Sequence, residues 1–225
     1  RFFIKNKDIK FSIGEKFNDG IINDIELIII SPGVSLRESY LQTALNQGIP
    51  VIGDIEIFAL AKPASSKVIG ITGSNGKTTV TSLVGDLLKA AGISAIVGGN
   101  IGIPILNTLN QKAPEAYVLE LSSYQLETTY SLALEAAAVL NISEDHMDRY
   151  GSIEEYAKAK YRIFNHAKNT ILNRDDDYLK SKINESSVTF GNHLDEKNYG
   201  IKKNGNQYFI AKGRAEIISL DEIKL

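Results

Sequence analysis

The 225 residues carry 25 Lys and Arg against 27 Asp and Glu, for a formal charge of -2, with 43% hydrophobic residues and no cysteine. Such a chain can fill a globular core, and its charge balance excludes the basic footprint of a nucleic-acid binder or a polybasic membrane patch. The missing cysteines exclude disulfides and thiolate metal sites, which fits a reducing cytoplasm, and no apolar run approaches the roughly 18 residues of a membrane span. The opening R-F-F-I-K-N-K has no apolar region of a signal peptide, and without an initiator methionine the chain reads as a fragment or a processed product.

In chain order, edge strands are expected at 1–4 and 10–13. The apolar run 26–30, ending in Ser31-Pro32-Gly33, predicts a buried parallel strand that opens into a loop. Residues 35–47 predict a helix closed by Gly48, followed by a strand at 51–52 and a helix at 55–60. The stretch 61–67 reads as a linker, because Pro63 stops a helix and the serines avoid a packed role. Strands are then expected at 68–71, 95–97, 116–119, 137–140 and 170–172, separated by helices at 78–91, 103–109, from 122, and 152–165. Strand-then-helix repetition at this spacing means a parallel sheet covered on both faces. Beyond residue 187, the N-G-N and A-K-G-R turns predict an antiparallel meander at one edge. The fold class is α/β: part of a Rossmann-like domain over 1–62, then a parallel-sheet, phosphate-loop nucleotide-binding domain over 63–225, incomplete at its C-terminal end.

The segment I-G-I-T-G-S-N-G-K-T-T-V joins a β-branched strand to a helix. Counted from Gly73 it is tighter than the usual GxxxxGK[ST] spacing, and counted from Gly70 it reads G-x-x-G-x-x-G-K-T. Gly73, Ser74, Asn75, Gly76, Lys77, Thr78 and Thr79 are candidates to cradle an ATP phosphate chain. Backbone N–H groups and the helix start would face the anion, Lys77 would reach the β- and γ-phosphates, and the Thr78 hydroxyl would bind Mg²⁺. Val80, Leu83, Val84, Leu87, Leu88 and Ala91 supply a stripe that seats the helix on the sheet. An ordinary glycine-rich turn is the bland alternative.

Glu120 ends a strand at the sheet edge where catalytic groups gather, and it reads either as a magnesium-related carboxylate or as a solvated helix-start acid beside the capping Ser122. Asn100 follows two glycines that permit close backbone approach to a ligand, or a plain turn. His146, among acids after another strand, reads equally as a ligand or a surface residue. Ser152 and Glu155 form a capping box, from which Ile153, Tyr156, Ala157, Lys160 and Phe164 fall on one apolar stripe. Lys160 therefore points inward, either snorkelling or held near phosphates as a partly neutral amine that can add CO₂. Lys158 and Arg162 are expected on a solvated face, with Glu144, Asp145 and Glu154.

These motifs together resemble the ATP-dependent Mur ligases of bacterial peptidoglycan synthesis, over essentially the whole chain. The resemblance is carried by G-S-N-G-K-T-T at 73–79, G-G-N-I-G at 98–102, L-E-L-S-S-Y-Q-L-E at 119–127, N-I-S-E-D-H-M-D-R-Y at 141–150 and Y-A-K-A-K-Y-R-I-F at 156–164. S-P-G-V at 31–34, G-D-I-E-I-F at 53–58 and L-S-S-Y-Q-L-E after Glu120 resemble most the branch that adds D-glutamate to UDP-N-acetylmuramoyl-L-alanine. The resemblance implies Lys77 on the ATP phosphates, Thr78 near a first Mg²⁺, Glu120 shared between two Mg²⁺ ions, and His146 on the second. It makes Lys160 the carbamylated lysine of the family, and it puts Ser31, Gly33 and Asn100 on the UDP-sugar, with Ser122 and Gln125 nearby. It further implies a cytoplasmic monomer with small-molecule substrates, no nucleic acid and no membrane insertion. Family members carry a C-terminal domain with the D-glutamate site, so activity of this chain alone is not expected. The rival readings are a folylpolyglutamate-type or other Mur-type amide ligase, and a non-catalytic nucleotide-binding module.

Overall fold

A computed structural model describes residues 25–223; the strands expected at 1–4 and 10–13 lie outside them. Strand β1 (Ile28–Ile29) pairs in parallel with β2 (Val51–Ile52), linked through helix α1 (Ser39–Asn46). The buried strand expected at 26–30 is thus short, and Leu27 and Ile29 are exposed, because β2 is its one strand neighbour among the described residues. Helix α1 starts at Ser39 rather than at 35, since the Glu38 backbone is non-helical, with ψ 133°, and its N–H closes a turn onto Ser35 O. Gly48 ends it with φ 79°, a conformation that costs glycine nothing.

Six parallel strands make the main sheet: β3 (Lys67–Thr72), β4 (Ala95–Gly99), β5 (Ala116–Glu120), β6 (Leu134–Val139), β7 (Ala167–Asn173) and β8 (Val188–Phe190). Their order is β4-β5-β3-β6-β7-β8, with every neighbouring pair parallel. Alternating side chains feed two cores. Val68, Tyr117, Leu119, Ala137 and Val139 join the larger one with α2 (Asp54–Ala61), α4 (Ser123–Glu127) and α5 (Ile153–Tyr161). Ile71, Val118 and Ala138 face the smaller one, covered by Val80, Val84 and Leu88 of α3 (Lys77–Ala90).

The buried stripe of α3 differs from the expectation. Thr81 and Gly85 are buried, whereas Leu83 and Leu87 are more than half exposed and Ala91 is exposed. Gly85 lets the helix close on Val97, whose Cγ2 lies 2.3 Å from where a Cβ would stand. The helix expected at 103–109 is a 3₁₀ segment (Ile105–Asn110) entered from Pro104, and α5 passes into another (Arg162–Phe164).

Beyond residue 187 the antiparallel expectation holds only in part. Strand β8 is parallel to β7 and completes the main sheet, preceded by a short helix α6 (Asp177–Lys180) that the sequence reading did not include. Strands β9 (Tyr199–Asn204), β10 (Gln207–Lys212) and β11 (Ala215–Ser219) form a separate antiparallel sheet, turned through Gly205 and Gly213 at positive φ.

Helix α2 packs with the main sheet, for Ile55 and Phe58 are fully buried and Phe58 meets Tyr117 edge-on at 4.9 Å. Helix α2 ends at Ala61, before Pro63, as expected, but Ser66 does have a packed role: it is buried and donates to Pro114 O at 2.5 Å.

Candidate active site

Strand β3 lies between β5 and β6, so the chain leaves it first to one side and later to the other. The carboxyl ends of these strands open a crevice at that reversal. The phosphate-loop candidate follows β3 there. Gly70 is a strand residue paired with Leu119 and Ala137, so the loop begins at Gly73. Gly76 precedes α3 with φ 79° and turns the chain into the helix. The loop is tied from below: Ser74 N–H donates to Asn141 O, Asn75 N–H to Asn141 Oδ1 at 2.8 Å, and the Ser74 hydroxyl to Ser143 O at 3.0 Å. Lys77 Nζ folds back over the loop onto Gly73 O and Ser74 O, at 2.9 and 2.8 Å. An ammonium so placed stands at the mouth of a helix N-terminus, where an anion is favoured.

Glu120 ends β5 with 2% exposure. Thr78 Oγ1 donates to its Oε2 at 2.7 Å, and Asn100 Nδ2 to its Oε1 at 2.8 Å. Gly99 makes this possible, because with φ 101° it brings the β4 end against Glu120, and a Cβ there would stand 2.3 Å from Glu120 O. The carboxylate thus bridges the helix start and the β4 loop.

Lys160 lies on the inward face of α5 and is 1% exposed. Its amine donates to Gly73 O at 2.8 Å and Thr72 Oγ1 at 3.3 Å, and stands 4.6 Å from the Tyr156 ring centroid. Burial, followed by the nearby charge of Lys77, lowers its pKa to about 7, against the opposing pull of Asp145 and Glu120. Snorkelling is ruled out by this geometry. His146 has φ 55°, in the left-handed region that non-glycine residues rarely adopt, and such strain gathers at functional sites. Its ring lies 4.9 Å from that of Tyr124 and its Nε2 lies 3.5 Å from Asp145. Pro32, Gly33, Lys77, Asn100, Ser122, Ser123, Tyr124, His146, Tyr156 and Lys160 line one cleft of ≈ 340 Å³.

The Mur ligase middle-domain family model matches residues 71–221, and the model for the Mur ligase MurD-like N-terminal domain matches residues 4–53. The chain belongs to the Mur ligase family. It is 46% identical over 215 residues to a UDP-N-acetylmuramoylalanine--D-glutamate ligase of Methylobacillus flagellatus, covering 93% of this chain and 47% of that protein. It is 48% identical over 209 residues to the enzyme of that name from Vibrio parahaemolyticus, with the same coverage. The chain thus spans about half the length of the curated relatives it matches. Among solved structures, a UDP-N-acetylmuramoyl-L-alanyl-D-glutamate--2,6-diaminopimelate ligase superposes with a TM-score of 0.59 at 20% identity, covering 87% of this chain and 53% of that one, which shows a shared fold.

The Mur ligase family implies Mg²⁺, and the donor set fits a hard cation that keeps several water or phosphate ligands. Glu120 is a buried carboxylate whose hydrogen-bond partners are neutral, and Thr78 and Asn100 add oxygen donors beside it. Among the described residues no three His, Cys, Asp or Glu side chains gather into a ready-made metal cage.

Not every candidate reaches this Mur ligase cleft. Asn75 and Thr79 are exposed, and the Asn75 amide reaches Ser143. Ser31 is exposed and closes a turn through its carbonyl to Val34 N–H, while Gly33 is on the cleft wall. Gln125 is buried and turned away, its Oε1 accepting from Ser122 N–H and its Nε2 donating to Asp54. One expectation is corrected. Arg162 is not solvated: it donates to Leu126 O at 2.7 Å and Thr129 O at 3.0 Å, because α5 ends against the α4 turn. Asp145 keeps a side chain 42% exposed, as expected, and still acts electrostatically on Lys160 and Tyr156. Tyr124 and Tyr156, absent from the sequence candidates, wall the cleft; the aromatic spacing gave no signal apart from the helix stripe.

Proposed function

We propose that this chain is the substrate-binding and ATP-binding portion of a ligase that joins D-glutamate to UDP-N-acetylmuramoyl-L-alanine. The observation that carries the reading is the meeting of Lys77, Asn100, His146 and a buried, partly neutral Lys160 in one cleft at the sheet reversal. The names of relatives at 46% and 48% identity support the choice of D-glutamate.

In this reading the loop 73–79 holds the ATP phosphates, with Lys77 on their charge, and Ser31, Gly33, Asn100, Ser122 and Gln125 hold or shape the place of the UDP-sugar. The substrate carboxylate oxygen attacks the γ-phosphorus and ADP leaves, giving an acyl phosphate. The amine of D-glutamate then attacks that carbonyl, the C–O bond to phosphate breaks, and an amide forms. Phosphoryl transfer of this kind needs positioning and charge neutralisation more than covalent help. Thr78, Glu120, His146 and a carbamate on Lys160 would hold two Mg²⁺ ions, which would supply charge neutralisation between the anionic reactants. The chain's own residues do the placing: Glu120 holds Thr78 and Asn100 in register, and Lys160 grips Gly73 O under the loop. CO₂ adds only to a neutral amine, and burial supplies one near neutral pH. We place the reaction in the cytoplasm, with a monomeric enzyme, and the division between the two units just before α2, which packs with the central core.

A polypeptide of the relatives' full length carrying this segment is expected to release ADP only when UDP-N-acetylmuramoyl-L-alanine and D-glutamate are both present. Turnover with a folate and glutamate instead, or ATP binding without ADP release, overturns the reading. Under ¹³C-bicarbonate, a carbamate resonance is expected that Lys160→Ala removes.

A further inference from the structure

We propose that Arg149 is a positioning residue that clamps the 31–34 turn to the cleft rim and so sets the affinity for the ligand that lies under that turn. This rests on the ligase reading above. The Arg149 side chain is 10% exposed. Its Nη1 donates to Pro32 O at 3.0 Å and its Nη2 to Val34 O at 3.3 Å, so one guanidinium grips both flanks of Gly33. The same Nη2 donates to Glu127 Oε2 of α4 at 2.7 Å, and the guanidinium carbon stands 4.0 Å over the Tyr124 ring. Its backbone N–H closes onto His146 O at 2.9 Å, stapling the strained turn that carries the histidine.

One residue therefore connects three walls of the cleft: the turn from the first unit (Pro32, Gly33), the α4 start (Tyr124) and the His146 loop. Pro32 to Val34 meets the rest of the cleft across more than a hundred residues of chain, and β1 and β2 beneath the turn are two residues each. A sheet that small holds its loop weakly. The planar fork of arginine reaches two carbonyls and a carboxylate at once, which the point charge of a lysine does not. Neighbouring Arg37 is committed elsewhere, to Glu155, so it does not duplicate the clamp.

The test uses the full-length polypeptide with Arg149→Met and the milder Arg149→Lys. Without ligand, amide exchange at Val34, whose N–H is bonded to Ser31 O, is expected to speed up about tenfold in Arg149→Met, as loss of charge-assisted bonds implies, while α3 amides stay unchanged. The KM for UDP-N-acetylmuramoyl-L-alanine is expected to rise about tenfold, with less change in Arg149→Lys and the KM for ATP within about twofold. Unchanged Val34 exchange, or equal rises in both KM values, overturns the clamp. If Arg149→Met does not fold, Arg149→Lys alone decides by the same two readings. If wild type turns over no substrate but Val34 exchange responds, the ligase reading falls and the turn clamp stands.

Discussion

Lys160 is the residue where burial and chemistry meet most directly. The unfolded chain keeps this amine protonated up to about the ordinary 10.5, while the folded chain releases the proton near 7. Between those values the unfolded state binds more protons, so the contribution of Lys160 makes stability rise with pH from about 7 toward 10. Urea midpoints at pH 6, 8 and 9 are expected to climb in wild type and to climb less in Lys160→Met, which carries no titrating amine; parallel pH profiles would refute the burial account. In the proposed function, Lys77 and Glu120 act on the ligand side. Lys77→Ala is expected to weaken ATP binding at least about tenfold with little loss of stability, because the ammonium contacts only loop carbonyls, and calorimetric titration checks it. The inward position of Lys160 was legible in the spacing from Ser152. The electrostatic reach of Asp145 to Lys160 was not, because it depends on the path of the loop between β6 and α5, which has no periodic signature.

Among the elements, caps were read well and packing faces less well. Ser122 and Gln125 form a full reciprocal box, whereas at α5 only half of the expected box exists: Ser152 accepts from Glu155 N–H, and the Glu155 carboxylate takes Gly151 N–H and Arg37 instead. An ion-pair partner from elsewhere in the chain outbid the local one. Ser152→Ala is expected to cost about 1 kcal/mol, read by urea unfolding. Gly99→Ala belongs to the same scale. The positive φ and the 2.3 Å approach to Glu120 O leave a Cβ no room, so the β4 end must move away and break the Asn100 to Glu120 bonds. A loss of roughly 2–3 kcal/mol with weakened Mg²⁺-ATP binding is expected, and unchanged binding would show that β4 does not hold Glu120 in place. For α3, apolar spacing placed Val80, Val84 and Leu88 on the core but also put Leu83, Leu87 and Ala91 there, whereas the close approach to β4 is made at Gly85, which an apolar pattern does not count.

In the whole molecule, α2 is fixed to the turn after α4 by a buried acid. Glu56 of α2 is 5% exposed and accepts from Tyr130 N–H, Ser131 N–H and the Ser131 hydroxyl at 2.6, 2.9 and 2.6 Å. Gly53 just before it allows the chain to pass Thr128, whose Oγ1 lies 2.5 Å from a would-be Cβ, and Asp54 meets Gln125. The G-D-I-E-I-F segment is thus the junction onto the α4 turn. Glu56→Ala is expected to cost roughly 3–5 kcal/mol, because two backbone donors lose their partner, and Glu56→Gln less; equal stability of the three proteins in urea would remove the junction from the account. The sequence by itself determined the parallel α/β class, the glycine-rich loop between β3 and α3, the order of strands and helices as far as β7, and the inward lysine, since these follow from local propensity and from periods of 2 and 3.6 residues. Only the tertiary structure decided that β8 joins the parallel sheet, that α2 belongs to the central core, that Arg162 is spent on carbonyls of the α4 turn, that Tyr124 lines the cleft, and that Arg149 ties the 31–34 turn to its rim. Those outcomes depend on contacts between residues far apart in the chain, whose energies no local pattern encodes.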